Sequence, residues 1–181
     1  EAYVDGFRDA YARKEPKLSE DEMKATLEAF RNRLQLEAAE KANRVAADNK
    51  AKSAAYLAEN GKKAGVTTTA SGLQYEVLTQ GNGPTPKASD MVKVHYHGTL
   101  TDGSVFDSSV QRGEPATFQL DQVIPGWTEG LQLMKTGSKF RLTLPPELAY
   151  GEQGVGPIGA NAVLVFEVEL LGIEKPAQAD A

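Results

Sequence analysis

The chain has 181 residues, 40% hydrophobic and 25% charged, with a formal net charge of −5 and no cysteine. The acidic balance argues against a nucleic-acid binder, because phosphate contacts need a basic face. Lack of cysteine excludes disulfide staples, thiol catalysis and Cys-ligated metals, and no apolar run reaches the ~18 residues a membrane-spanning helix needs.

The chain begins at Glu1 rather than Met, which predicts a processed or trimmed product, with removal of a secretory signal as one route to it. Residues 1–63 are rich in Ala, Glu, Lys and Arg and read as helix. Tyr3, Phe7, Ala10 and Tyr11 fall on one helical face before Pro16 and Lys17 break the pattern. Ser19 followed by Glu22 forms a capping box that starts a second helix. Met23, Leu27, Phe30 and Leu34 then make a narrow apolar seam. Either the seam packs on the first helix as a hairpin, or the two helices form a dimer interface, since so small a pair has little core of its own. Beyond Leu36 the seam fades, and Glu37/Lys41, Glu40/Arg44 and Asp48/Lys52 are spaced to pair across one helical turn. Gly61 with Lys62 and Lys63 marks the stop. One helix over residues 20–60 would be about 60 Å long. With little to bury, it reads as a rigid stalk.

Residues 64–174 hold most of the glycine and proline and alternate with a period of two, which predicts strands, so two domains are expected. In Met91-Val92-Lys93-Val94-His95-Tyr96-His97, Val92, Val94 and Tyr96 share the inward face, and His95 and His97 share the outer face with Lys93. A histidine pair of this kind can hold a metal, but no third ligand is evident and the lysine opposes a cation; a solvated strand face is expected. Asp107 follows Phe106, and a half-buried carboxylate there needs donors, for which Arg112 and the Tyr96 phenol are candidates; a structural turn aspartate is the alternative. Trp127, Leu131 and Met134 predict a short helix ended by Gly137, in which Trp127 taken alone reads as core. Phe140, Leu142 and Leu144 alternate, a glycine-rich loop spans 149–161, and Leu164, Phe166, Val168 and Leu170 share one face of a strand over 162–173. The loop lacks the Gly-Lys-Ser/Thr element of a phosphate site. Residues 175–181 have nothing to bury and predict a frayed tail. Val123-Ile124-Pro125-Gly126-Trp127, read with Tyr96, Phe106, Asp107 and Tyr150, describes a pocket that grips an apolar ring, with no nucleophile beside it.

Five ordered blocks carry a resemblance. Val94-His95-Tyr96-His97-Gly98-Thr99-Leu100, Phe106-Asp107-Ser108-Ser109, Val123-Ile124-Pro125-Gly126-Trp127, Leu144-Pro145-Pro146-Glu147-Leu148-Ala149-Tyr150-Gly151 and Leu164-Val165-Phe166-Glu167-Val168-Glu169-Leu170 make residues 73–174 resemble an FKBP-type peptidyl-prolyl cis-trans isomerase domain. The helical part resembles the Mip/FkpA-like subgroup of bacterial cell-envelope members, in which an N-terminal helical module dimerises and a long helix carries each catalytic domain. The resemblance implies an α+β architecture. Residues 1–63 form a helical dimerisation module with a long linker helix, residues 64–174 a strongly bent antiparallel sheet wrapped over a short helix, and 175–181 a flexible tail.

The resemblance also implies the site. Asp107, Tyr150, Ile124 and Trp127 would be catalytic, with Trp127 as the pocket floor and the Tyr150 hydroxyl and Ile124 backbone N–H bonding the peptide. Tyr96, Phe106, Val123 and Phe166 would form the walls and Ile158 the flap. It implies no cofactor or metal, proline-containing unfolded polypeptides as substrates, macrolides of the rapamycin class as inhibitors, a homodimer through the N-terminal helices, and added chaperone activity. It further implies the periplasm or the outer-membrane-associated envelope of a Gram-negative bacterium. Pro115 precedes Ala116 where many members have an aromatic, and Val155 lies where many eukaryotic members have a histidine nearby, so the rim departs from the family pattern.

Overall fold

The computed structural model describes residues 19–174, so the expected first helix and the C-terminal tail lie outside the described residues. Two compact units divide the chain, the second beginning at Val45.

Helix α1 spans Glu20–Asn60. Its capping box forms as the spacing predicts: the Ser19 N–H and hydroxyl both donate to Glu22 Oε2, at 2.8 and 2.9 Å, and the Glu22 N–H donates to Ser19 Oγ at 3.3 Å. Bonds from the Ser19 backbone and hydroxyl hold the Glu22 carboxyl below its ordinary value. Met23, Leu27, Phe30 and Leu34 are all exposed. Among the described residues the ion pair on this stretch is Arg33–Glu37 at 3.2 Å, rather than the acid-first pairs Glu37/Lys41, Glu40/Arg44 and Asp48/Lys52. Exposed pairs gain so little over hydration and side-chain entropy that spacing alone does not select them. The helix stops at Gly61, whose N–H donates to Leu57 O at 2.9 Å.

The C-terminal part of α1 belongs to the second unit and docks on it through polar side chains. Ser53 and Asn60 are its buried residues. Asn60 donates to Gln74 Oε1 at 2.9 Å, and Gln74 returns a bond to Leu57 O at 2.8 Å.

The sheet comprises β1 (Val66–Thr68), β2 (Gln74–Thr79), β3 (Met91–Leu100), β4 (Val105–Ser108), β5 (Ala116–Gln119), β6 (Lys139–Leu144) and β7 (Leu164–Glu174). All pairs are antiparallel, in the order β1-β2-β6-β7-β3-β4, with β5 also on β3. Strand β3 runs along β7 for its whole length and gives its other edge first to β5 and then to β4. Register shifts at Val77/Thr79, Lys93/Val94 and Gly98/Thr99 bend the ladder, as extra residues on one strand do. The sheet therefore curls.

Two short α-helices, α2 (Ser109–Arg112) and α3 (Pro125–Leu131), and a 3-10 helix at Pro146–Leu148 complete the unit. Proline at the start of α3 supplies a preset φ where no N–H is needed. Helix α3 ends at Leu131, short of the expected Gly137, and a turn bonded Met134 N to Leu131 O at 3.1 Å carries Met134 into the core. Val92 and Val94 of β3, Leu142 and Leu144 of β6, and Leu164, Val168 and Leu170 of β7 line the concave face under α3.

Close approach of α3 to β6 depends on Gly126. A Cβ there would stand 2.4 Å from Leu144 Cγ and 3.0 Å from Leu148 O. Gly126→Ala should therefore destabilise the domain by about 1–3 kcal/mol in urea unfolding, the range for forcing an extra methyl into a packed core. Wild-type stability in that variant would refute this account of the helix-sheet packing.

Candidate active site

The concave side of the sheet and α3 enclose a cleft of about 410 Å³. Trp127, in the first turn of α3 and 4% exposed, stands at the centre of its aromatic lining. Tyr96 of β3, Phe118 of β5 and Phe166 of β7 approach its ring edge-to-face, with centroids 5.1, 5.4 and 5.2 Å away. Phe106 of β4 extends the wall by stacking edge-on against Phe166 at 5.3 Å. Edge-to-face pairs of this kind add about 0.5–1.5 kcal/mol each beyond area burial, so the lining is rigid. Gly98 makes room for it: a Cβ there would meet Phe106 at 2.7 Å and Phe166 at 2.8 Å. Trp127 Nε1 is buried with no hydrogen-bond partner among the described residues.

One side of the cleft is polar. Tyr96 Oη donates to Asp107 Oδ2 at 2.5 Å, Arg112 Nη2 donates to Tyr96 Oη at 2.9 Å, and Arg112 Nη1 pairs with Asp107 Oδ1. The triangle closes because β4 pairs with β3 and α2 follows directly, capped by the Ser108 hydroxyl accepting from Gln111 N at 3.2 Å. Behind it, the buried Ser109 Oγ accepts from Tyr96 N at 2.8 Å, and the two expected outer-face histidines contact serines, His95 with Ser109 at 3.1 Å and His97 with Ser108 at 2.9 Å. Burial opposes ionisation of Asp107, but bonds from Tyr96 and Arg112 outweigh it and hold the carboxyl below its ordinary value. Burial first, then the Asp107 hydrogen bond, push the Tyr96 phenol up. At neutral pH the carboxylate is ionised and the phenol protonated.

Of the nine residues expected at the site, Asp107, Tyr150, Ile124, Trp127, Tyr96, Phe106, Val123 and Phe166 line this one cleft. Ile158 does not. It lies in the 149–161 loop, 7% exposed and packed into the core, in a bridge with Val155, which is exposed together with Gly156 and Pro157. Phe118 and Gln122 join the lining although sequence reasoning passed over them. Phe118 sits in a four-residue strand too short for its alternation to stand out, and Gln122 carries no motif.

The sequence comparisons agree with this geometry. Residues 83–171 match the model of the FKBP-type peptidyl-prolyl cis-trans isomerase, and residues 1–77 match that of the domain amino terminal to it. The FKBP-type peptidyl-prolyl cis-trans isomerase FkpA of Aeromonas hydrophila is 59% identical over 164 residues, covering 91% of this chain and 61% of that protein. The outer membrane protein MIP of Legionella longbeachae is 45% identical over 173 residues, 95% of this chain and 74% of that protein. The crystal structure of FkpA from Escherichia coli superposes with a TM-score of 0.86 at 50% identity, covering 97% of this chain and 82% of that one. The chain belongs to the FKBP-type peptidyl-prolyl cis-trans isomerase family. It spans less than two thirds of the A. hydrophila relative's length.

The polar triangle makes stability depend on pH in a defined direction. The folded-state value of Asp107 lies below the unfolded one, so its contribution is present above about pH 4 and drains away as pH falls below that. The raised Tyr96 acts at the other limb, with its contribution lost only above about pH 10. The stability gap between wild type and Asp107→Asn, measured by urea unfolding, should be widest near neutrality and shrink towards pH 3. A gap independent of pH would exclude the ionised triangle.

Proposed function

We propose that this chain accelerates cis–trans isomerisation of Xaa-Pro bonds in folding polypeptides, without making or breaking a covalent bond. The observation that carries the reading is the aromatic cleft with a fixed polar side, in a chain of this family. The barrier to amide rotation is about 18–20 kcal/mol because resonance holds the bond planar. Twisting removes that resonance and with it part of the charge separation of the amide. A dry apolar cavity favours the twisted form over the planar one relative to water. In this reading a prolyl ring rests on Trp127 between Tyr96, Phe106 and Phe166. The Tyr150 hydroxyl and Ile124 N–H hold the flanking carbonyls. Asp107 keeps Tyr96 and Arg112 in one arrangement, so the wall does not have to reorganise when the amide twists. An ionised Asp107 beside a protonated Tyr96 suits chemistry in which no proton is exchanged.

Substrates on this reading are unfolded or partly folded chains with apolar residues before proline, and macrolides of the rapamycin class compete for the same cleft. The working compartment is the periplasm or outer-membrane-associated envelope of a Gram-negative bacterium, a reading supported by the relatives' names and sources. The chain pairs as a homodimer through its N-terminal helices, for which the exposed Met23, Leu27, Phe30 and Leu34 provide an apolar seam. The same seam favours a second reading, in which a paired molecule clamps unfolded clients and isomerase chemistry is secondary.

Exchange of an apolar-Xaa-Pro peptide followed by NMR should be faster with the protein than in buffer. Trp127→Ala or Asp107→Ala should slow it by about tenfold or more, equivalent to ~1.4 kcal/mol of barrier. Wild-type exchange at the buffer rate would sink the isomerase reading. For the clamp, Leu27→Glu/Phe30→Glu should halve the mass in solution and weaken suppression of client aggregation, while Asp107→Ala should leave that suppression intact. Aggregation suppression that tracks isomerase activity instead would rule the clamp out.

A further inference from the structure

Helix α1 ties itself to the base of the loop that carries Tyr150. Asn49 Nδ2 donates to Ala160 O at 2.9 Å, Ser53 Oγ donates to Asn161 O at 2.6 Å, and Asn161 Nδ2 donates to Ala46 O at 3.0 Å. Every one of these residues belongs to the compact unit that begins at Val45. Ser53 and Asn161 are both 7% exposed and the bond between them is buried, while the bonds to Ala160 and Ala46 are partly buried, on a helix that is otherwise largely solvated.

Asn161 links this anchor to the cleft. Its N–H donates to Gly151 O at 2.9 Å, closing the loop one residue after Tyr150. From the other side Gly151 N donates to Pro146 O at 2.9 Å. Asn161 also adopts a left-handed backbone, φ 55°, a region in which asparagine is tolerated far better than most side chains. That conformation lets one residue present its N–H to Gly151, its carbonyl to Ser53 and its side chain to Ala46. Tyr150 is 38% exposed and lines the cleft, and its hydroxyl makes no hydrogen bond with the described residues, so the backbone of this loop sets where it points.

We infer that residues 46–53 of α1 are a positioning element of the cleft, with Ser53 and Asn161 as positioning residues that act through Tyr150. The inference rests on the isomerase reading above. It treats the linker helix as part of the site's scaffold, whatever else the helix carries at its far end. A bond between a helix and a loop could equally stabilise the fold and nothing more. The two roles differ in how their effects combine with loss of the Tyr150 hydroxyl.

The test is a double-mutant cycle in the full chain. Ser53→Ala and Asn161→Gly are each made alone and with Tyr150→Phe. Glycine accepts the positive φ and keeps both backbone bonds of position 161, so only the side-chain tie is lost. Catalytic efficiency for an apolar-Xaa-Pro peptide should fall about threefold in each single variant, the scale of one net hydrogen bond or less. The loss should largely vanish in the Tyr150→Phe background, because neighbouring positions that act through one another are not additive. Peptide affinity, read from the emission of Trp127, the chain's single tryptophan, should show the same coupling and covers the case in which Tyr150→Phe leaves too little rate to measure. A purely structural role would lower thermal stability equally in both backgrounds and leave efficiency additive or unchanged, which overturns the inference. Wild-type exchange at the buffer rate overturns the isomerase reading and this inference with it; an active wild type with no coupling overturns this inference alone.

Discussion

Trp127 meets Tyr96, Phe118 and Phe166 edge-to-face, and the rest of the cleft follows from that contact. The four rings come from α3, β3, β5 and β7, so the cluster can form only when the sheet curls and α3 lies against its concave face. Two glycines permit this. Gly126 lets α3 come close to Leu144, and Gly98 leaves space for the Phe106 and Phe166 rings over β3. A large apolar surface is buried, yet a cleft of about 410 Å³ stays open above it. Rings held by one another cannot collapse to fill that space, which keeps an apolar cavity available for a guest.

The charged groups of the cavity wall stand together on one side. Asp107, Tyr96 and Arg112 satisfy one another in a closed triangle, so the ion pair brings charge close to apolar walls without leaving an unpaired group. Such an arrangement is poorly suited to general acid–base work at neutral pH, because neither the carboxylate nor the phenol titrates near it. It is well suited to fixing a wall. The chemistry proposed for the cleft asks for a dry cavity and stationary dipoles.

Helix α1 has two different surfaces. Towards its start the apolar seam of Met23, Leu27, Phe30 and Leu34 is exposed, which leaves a surface for another chain or for a client. Towards its end the docking face is made of Asn49, Ser53 and Asn60, all reaching backbone or amide groups of the β unit. Polar docking of this kind contributes modestly to stability but specifies one seating closely, since each buried donor must find its acceptor.

The sequence by itself determined what depends on local spacing. The capping box at Ser19, the helix to Asn60, the alternating inward faces of β3, β6 and β7, and the blocks around Asp107, Trp127 and Tyr150 were all legible, because period, caps and short motifs are written within a few residues. Local spacing overextends α3, because Met134 keeps the helical period while a tight turn delivers it to the core. The tertiary structure alone decided what depends on residues far apart in the chain. Phe118 reaches the cleft because β5 pairs with the first half of β3, and Ile158 is buried in the core while its bridge partner Val155 stays exposed. The polar seat of α1 left no apolar stripe to read, since its partners are the carbonyls of Ala160 and Asn161, more than a hundred residues away. Hydrophobic periodicity announces a buried face in advance, whereas a hydrogen-bonded one becomes visible only when its acceptors are in place.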